Sequence, residues 1–257
     1  MSSLQRSKSQ PFILFLSGIF LVLISIFWEA FPVFIFITFA PLFALLDFTW
    51  SSKRLYFITT VSLIGLLSEM ILFRFELNTP VLLYIFLVSG LFSFYAIAQM
   101  LTQNKLNKFA LVILFMAMEY LLLALLIQTD PVFLADILSH KSNWTRWNNV
   151  TGYLGATLWI MSTNLIFYLA LFKSKEANMF LTFLGVLCIV LPILYSLNLD
   201  VTAVTKEEVI NFYRGNPAKA DNAYTLQGEL ISRTGAWVSI LIIIFTLVRI
   251  KTKKVAR

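Results

Sequence analysis

Apolar and polar residues are not mixed along this chain; they come in blocks. Apolar runs occupy residues 11–28, 31–46, 55–73, 80–101, 109–128, 152–172, 177–197 and about 234–250, with short polar breaks between them. Each run is continuous rather than alternating, and most approach the roughly twenty residues a helix needs to cross a bilayer. A transmembrane barrel would show alternating segments of about ten residues instead. In lipid only helices and closed barrels satisfy every backbone group. The pattern therefore predicts an all-α, polytopic membrane protein with eight transmembrane helices. The first run is long for a signal peptide and no A-x-A-like site follows it, so it reads as an uncleaved first helix. Glu29 and Pro32 turn it tightly into the second.

The polar breaks carry the orientation. With eight spans both termini share one side, and that side collects 13 lysines and arginines: Arg6, Lys8, Lys53, Arg54, Lys105, Lys108, Lys173, Lys175 and the tail residues Arg249, Lys251, Lys253, Lys254 and Arg257. The other side collects 7: Arg74, Lys141, Arg146, Lys206, Arg214, Lys219 and Arg233. Basic loops stay inside, so both termini are expected to be cytoplasmic and the longer loops 129–151 and 198–235 to face outward. This divides the chain into a seven-helix membrane domain (1–197), a short outward loop (198–233), and a last transmembrane helix with a basic cytoplasmic tail (234–257). Inside the outward loop, Thr205-Lys206-Glu207-Glu208 has the form of a capping box and an apolar pattern follows it. Gly215 and Pro217 end that pattern, so a short surface helix is expected at about 206–213.

Composition sharpens the class. Hydrophobic residues make up 59% of the chain and charged residues 13%, with 25 phenylalanines. Soluble domains are nearer half apolar and a quarter charged, so this excess does not fit one soluble core. A single cysteine, Cys188, excludes a disulfide within the chain, and a single histidine, His140, excludes a His-rich metal site. The net charge of +7 follows from the topology. No basic cluster is interleaved with aromatics in a polar stretch, so no nucleic-acid partner is expected.

Few residues suggest chemistry. Glu119 lies near the middle of the fifth run, where a charge is costly and is a functional candidate by default. Its plainer reading is a carboxyl hydrogen-bonded to a neighbouring helix, with Asn164 of the sixth run as a plausible partner. Glu69 and Arg74, at the outer end of the third run, are either interfacial charges or a lipid-headgroup contact. Trp144 and Trp147 suit an interfacial aromatic belt. Cys188 is flanked by Leu187, Ile189 and Val190, without the base or cation that makes a thiol reactive. His140, near Asp136, Lys141 and Arg146, has no specific nucleophile beside it. There is no Gly-rich phosphate loop, metal-spaced cluster or Ser-centred elbow. No cofactor or metal is expected.

Several stretches, in order, resemble the bacterial apolipoprotein N-acyltransferases. In the hairpin Gly18 to Asp47 the matching positions are Trp28, Pro32, Pro41-Leu42 and Asp47. Met118-Glu119-Tyr120-Leu121 is similar to that family's helix with Glu, an aromatic and Leu, and Pro131 lies about where its loop proline does. The stretch Trp144 to Phe167 matches at Trp147, Thr151-Gly152, Gly155 and Asn164, and Ile231 to Trp237 matches at Arg233, Thr234, Gly235 and Trp237. The resemblance implies a multi-pass protein of the bacterial inner membrane, of eight spans, with membrane phospholipid and lipoproteins or another envelope protein as partners. Taken with the residues singled out above, the candidate lipid- or partner-binding residues are Glu119, Asn164, Glu69, Arg74, Trp144, Trp147 and Arg233.

The departures shape the expected function. In that family a nitrilase-type carbon–nitrogen hydrolase domain, with a Glu-Lys-Cys triad, fills the loop between the last two helices. Such a domain takes on the order of 200 residues, and Asn198 to Gly235 has no room for it. Leu122 stands where the family has Arg, and the aromatic pair before the fourth helix is replaced by a stretch containing Arg74 and Phe75. The expectation is a non-catalytic, lipid- or lipoprotein-binding relative. The alternatives are a membrane subunit of a lipoprotein N-acyltransferase whose catalytic part is supplied in trans, and a lipid or small-solute transporter.

Overall fold

A computed structural model describes residues 32–47, 79–101, 107–125, 130–173, 176–215 and 229–230, together with 13, 14, 16–18, 20, 21, 233–238, 240–242, 244 and 245. Among these residues all regular structure is helical. A 3-10 turn, Pro32–Phe34, leads into α1 (Ile35–Thr38) and α2 (Ala40–Leu45). Then come α3 (Thr79–Leu101), α4 (Lys108–Leu125), the 3-10 helix Leu134–Trp144, and α5 (Asn148–Thr151). The series ends with α6 (Gly155–Leu171), α7 (Met179–Asn198) and α8 (Lys206–Tyr213). The described positions within 13–21 and 233–245 are helical too.

Among the described residues three helices are long and apolar enough to cross a membrane: Thr79–Gln99, Lys108–Leu125 and Met179–Asn198, of 21, 18 and 20 residues with mean hydropathy 2.2, 2.1 and 2.4. At about 1.5 Å per residue these lengths match a hydrocarbon core of roughly 30 Å. Pro32–Leu45 and Gly155–Leu171 are apolar but shorter. The third run, 55–73, lies outside the described residues, as do Glu69 and Arg74.

The chain divides into two compact units, one of residues 1–108 and 160–189, the other of 109–159 and 190–257. In the first, the run 31–46 is not one continuous helix. It breaks at Phe39 between α1 and α2. Pro41 lacks the amide that would bond back to Ile37, and its ring crowds that carbonyl, so a bend here is built into the sequence. The break is then filled by a side chain. Asn164 accepts the Phe39 amide on Oδ1 at 2.7 Å and donates from Nδ2 to the Ile35 carbonyl at 2.8 Å. Ile35 and Phe39 are the partners a regular helix would join directly, so the carboxamide sits inside one opened bond of the ladder. Nδ2 also donates to the Ile160 carbonyl of its own helix at 2.8 Å. Phe36, Phe39, Leu42 and Phe43 are fully buried around this break.

The end of α2 is fixed by charge. Asp47 pairs with Lys108 at 2.8 Å and accepts the Tyr168 hydroxyl at 2.6 Å. Lys108 also lies 5.5 Å from the centre of the Tyr95 ring, and Gln99 donates to the Tyr95 hydroxyl at 2.8 Å. Lys108 is 5% exposed and Asp47 13%. A cation buried this far persists only with such partners.

The second unit turns the sequence-expected loop 129–151 into structure. Val132 through Leu138 are buried, and most of 134–151 is helical. The segment is stitched to the end of α7. Ser196 Oγ donates to the Trp144 carbonyl at 2.9 Å, Arg146 to the Leu199 carbonyl at 2.7 Å, and Asn149 to the Thr202 carbonyl at 2.8 Å. Gly155 explains itself by space: a Cβ there would collide with the Thr151 side chain and press on Trp147. Trp147 meets Trp159 edge-on with centroids 5.5 Å apart. Helix α8 forms over Lys206–Tyr213, the span that the capping box implies, with Thr205 accepting the Glu208 amide and Glu208 accepting the Thr205 amide. Gly215, at φ +78°, follows its last turn.

Candidate functional site: a buried carboxyl cluster in the second unit

Among the described residues three carboxyls of the second unit are buried: Glu119 and Glu229 fully, Asp136 nearly so. Each is positioned by a different element, and each binds a main-chain amide. Glu119, on α4, accepts the Leu134 amide at 2.8 Å. Asp136, in the first turn of the 3-10 helix, accepts the neighbouring Phe133 amide at 3.1 Å. These two amides open that helix and have no partner within it, so the two acids together cap its start. Glu229 accepts the Tyr153 amide, in the turn leading into α6, at 2.6 Å.

Tyr153 joins the cluster together. Its amide goes to Glu229, while its hydroxyl donates to Asp136 Oδ1 at 2.5 Å. Its ring packs edge-on against Phe133. Lys206, the first residue of α8, reaches Asp136 at 3.3 Å and the exposed Asp130 at 3.0 Å, and lies 6.0 Å from the centre of the Phe133 ring. At the other end of α8, the Tyr213 hydroxyl makes a long 3.5 Å contact to Glu229.

Burial dominates the electrostatics. It pushes Asp136 above the usual carboxylate range, against the opposing pull of the Lys206 charge and of hydrogen bonds from Tyr153 and the Phe133 amide. Burial pushes Glu229 up to about 7, opposed by the Tyr153 amide and the Tyr213 hydroxyl. Burial also raises the Tyr213 phenol, and the Glu229 charge adds to the effect. Asp136 has a lysine to offset its charge. Among the described residues no ion pair reaches Glu229.

The residues singled out in the sequence separate here. Glu119 enters the cluster. Asn164 belongs to the other unit, where it bridges the break between α1 and α2, so each of the two has partners of its own. Trp144 is buried and its carbonyl accepts from Ser196; Trp147 packs on Trp159. Arg233 is exposed, on the helical stretch after Glu229. His140 is exposed, and Cys188 sits half-buried within α7. Asp136, Tyr153, Lys206, Tyr213 and Glu229 escaped sequence reasoning as a group. The available signal was an acid set among apolar neighbours: Asp136 in Phe133-Leu134-Ala135-Asp136-Ile137-Leu138 and Glu229 before Leu230 and Ile231.

The chemistry open to this arrangement is hydrogen bonding and proton binding. No group of three or more His, Cys, Asp or Glu suited to a metal occurs among the described residues. Comparison with protein-family models, with curated proteins and with solved structures finds no match.

Proposed function

We propose that this chain is an eight-span protein of the bacterial inner membrane with both termini cytoplasmic. In this reading it is a relative of the apolipoprotein N-acyltransferases that lacks their catalytic domain and binds a membrane phospholipid or a lipoprotein without catalysis. One observation carries the non-catalytic part of the reading. Glu119, Asp136 and Glu229 each hold a main-chain amide, which is what a carboxyl does when it secures a fold. The single thiol supports it too, since Cys188 lies within the apolar helix α7. The membrane part of the reading is supported by helix in the runs 31–46, 80–101, 109–128, 152–172 and 177–197. Helix α7 also leaves Met179, Phe180, Phe183, Leu191 and Leu194 exposed on several sides, a surface suited to lipid.

Three experiments test this. The chain expressed in cells lacking a full-length N-acyltransferase should leave lipoprotein N-termini unacylated; restored acylation overturns the non-catalytic reading. Native mass spectrometry of the purified chain should show phospholipid or lipoprotein retained above the level of an unrelated membrane protein of similar size. Equal retention removes the binding claim. Labelling of single cysteines placed at residues 8, 141 and 253 from either side of the membrane checks the orientation. Residues 8 and 253 should label only from the cytoplasm and residue 141 only from outside.

A further inference from the structure

The two ends of α8 are held in different ways. At its start Lys206 meets two carboxylates, at 3.0 and 3.3 Å, and the capping box closes its first turn. At its end, besides the buried Val209 and Ile210 on the way, the described polar tie is the Tyr213 hydroxyl on Glu229 at 3.5 Å. That is the limit of hydrogen-bond length. Glu229 in turn holds the Tyr153 amide at 2.6 Å and is wholly buried. One carboxyl that no described cation pairs thus connects the end of α8 to the turn before α6.

We propose that α8 is a proton-sensitive flap, shut when Glu229 carries its proton and released from its Tyr213 end when Glu229 ionises, while Lys206 keeps its start pinned to Asp136 and Asp130.

The physical basis is the unequal cost of charge in the two states. With the flap shut, Glu229 is out of water and, among the described residues, its ionised form has no cation to pair with. With the Tyr213 end lifted, water reaches the carboxylate and its charge becomes cheap. The shut state binds the proton more tightly, so raising the pH favours opening. The groups facing this carboxyl favour its charged form, but less than burial disfavours it. Tyr153 presents an amide to it and Tyr213 a hydroxyl. Asp136 lies behind Tyr153, on its hydroxyl. Arg233, further along the chain and exposed, bears on Tyr213, and Arg214 caps the same end of α8. The other end does not release on the same signal. Ionisation of Asp136 strengthens its pair with Lys206, so high pH tightens the pinned end while it loosens the free one. The flap depends only on these groups and stands whichever ligand the chain binds.

Hydrogen exchange of the full chain in nanodiscs, expressed as protection factors so that intrinsic pH dependence is removed, tests the flap. The amides of 209–213 should lose protection at least tenfold between pH 5.5 and pH 8.5, whereas protection of α7 stays level. Glu229→Gln keeps a neutral acceptor for the Tyr153 amide and should abolish that loss. Tyr213→Phe should lower protection at pH 5.5 and shrink the pH response, and it serves if the Gln variant does not fold. Protection that is the same at both pH values in the wild type, or a Gln variant that keeps the full wild-type response, overturns the proposal.

Discussion

The chain builds the same three-residue device twice and puts it to different use. In each unit an aspartate is bracketed by a lysine and a tyrosine hydroxyl: Asp47 by Lys108 and Tyr168, and Asp136 by Lys206 and Tyr153. The first is matched one to one, at 2.8 Å, with both charges nearly excluded from water. The second shares its lysine with an exposed aspartate and has two further buried carboxyls around it. A matched buried pair is a rivet, since each charge is held by the other. A cluster with more acid than base keeps a proton in play. The difference teaches that the count of opposing charges, not the residue types, separates a fastening from a responsive site.

Breaking the rivet should have the largest effect. Lys108→Met leaves Asp47 buried with only the Tyr168 hydroxyl and should cost about 3–5 kcal/mol. Adding Asp47→Leu should recover most of that loss. Reversible unfolding in mixed micelles would read both, and a double variant no better than the single one would remove the idea of a matched pair.

Next comes the side chain that replaces a backbone bond. Asn164→Ala exposes no surface charge but orphans the Phe39 amide and the Ile35 carbonyl, for about 2–4 kcal/mol. If unfolding instead shows a change under about 0.5 kcal/mol, water must take the place of the carboxamide.

Glu229 tests the responsive side. Its ordinary value of 4.5 is raised to about 7 in the folded chain. A raised carboxyl favours the folded state when protonated, so its stabilisation is complete below about 4.5 and is lost as the pH rises through about 7. Glu229→Gln should therefore be close to neutral at pH 5 and stabilising at pH 8, by up to about 3 kcal/mol. Thermal unfolding at the two pH values checks the sign. The smallest effect is expected at the cap: Thr205→Ala should cost about 1 kcal/mol or less, felt as fraying of α8 in its exchange rates rather than as global unfolding.

Much of the fold was legible because it follows from local rules. Apolar runs near the thickness of a bilayer become helices wherever they are described, and α8 falls on the residues its capping box marks. The second run reads as a single span by composition, and the structure bends it at Phe39, just before Pro41. The segment 129–151 read less well. Its mixed composition resembles a solvated loop, yet Phe133, Leu134 and Leu138 are buried and its polar groups bind main chain. Of the site, only Glu119 was legible, because a lone acid within an apolar run stands out. Asp136, Tyr153, Lys206 and Glu229 are spread over nearly a hundred positions, and no spacing rule relates them.

By itself the sequence determined the material of this protein: helices, their approximate ends, and a composition that only lipid or a very large core would accommodate. Those are properties of consecutive residues, set by hydrophobicity, proline and capping. What the tertiary structure alone decided is which polar groups meet. Asn164 enters a break 125 residues earlier in the chain, and Glu229 meets an amide 76 residues away. The physical reason is that a buried polar group must find a partner wherever the packing brings one, and packing is fixed by the whole chain at once rather than by any stretch of it.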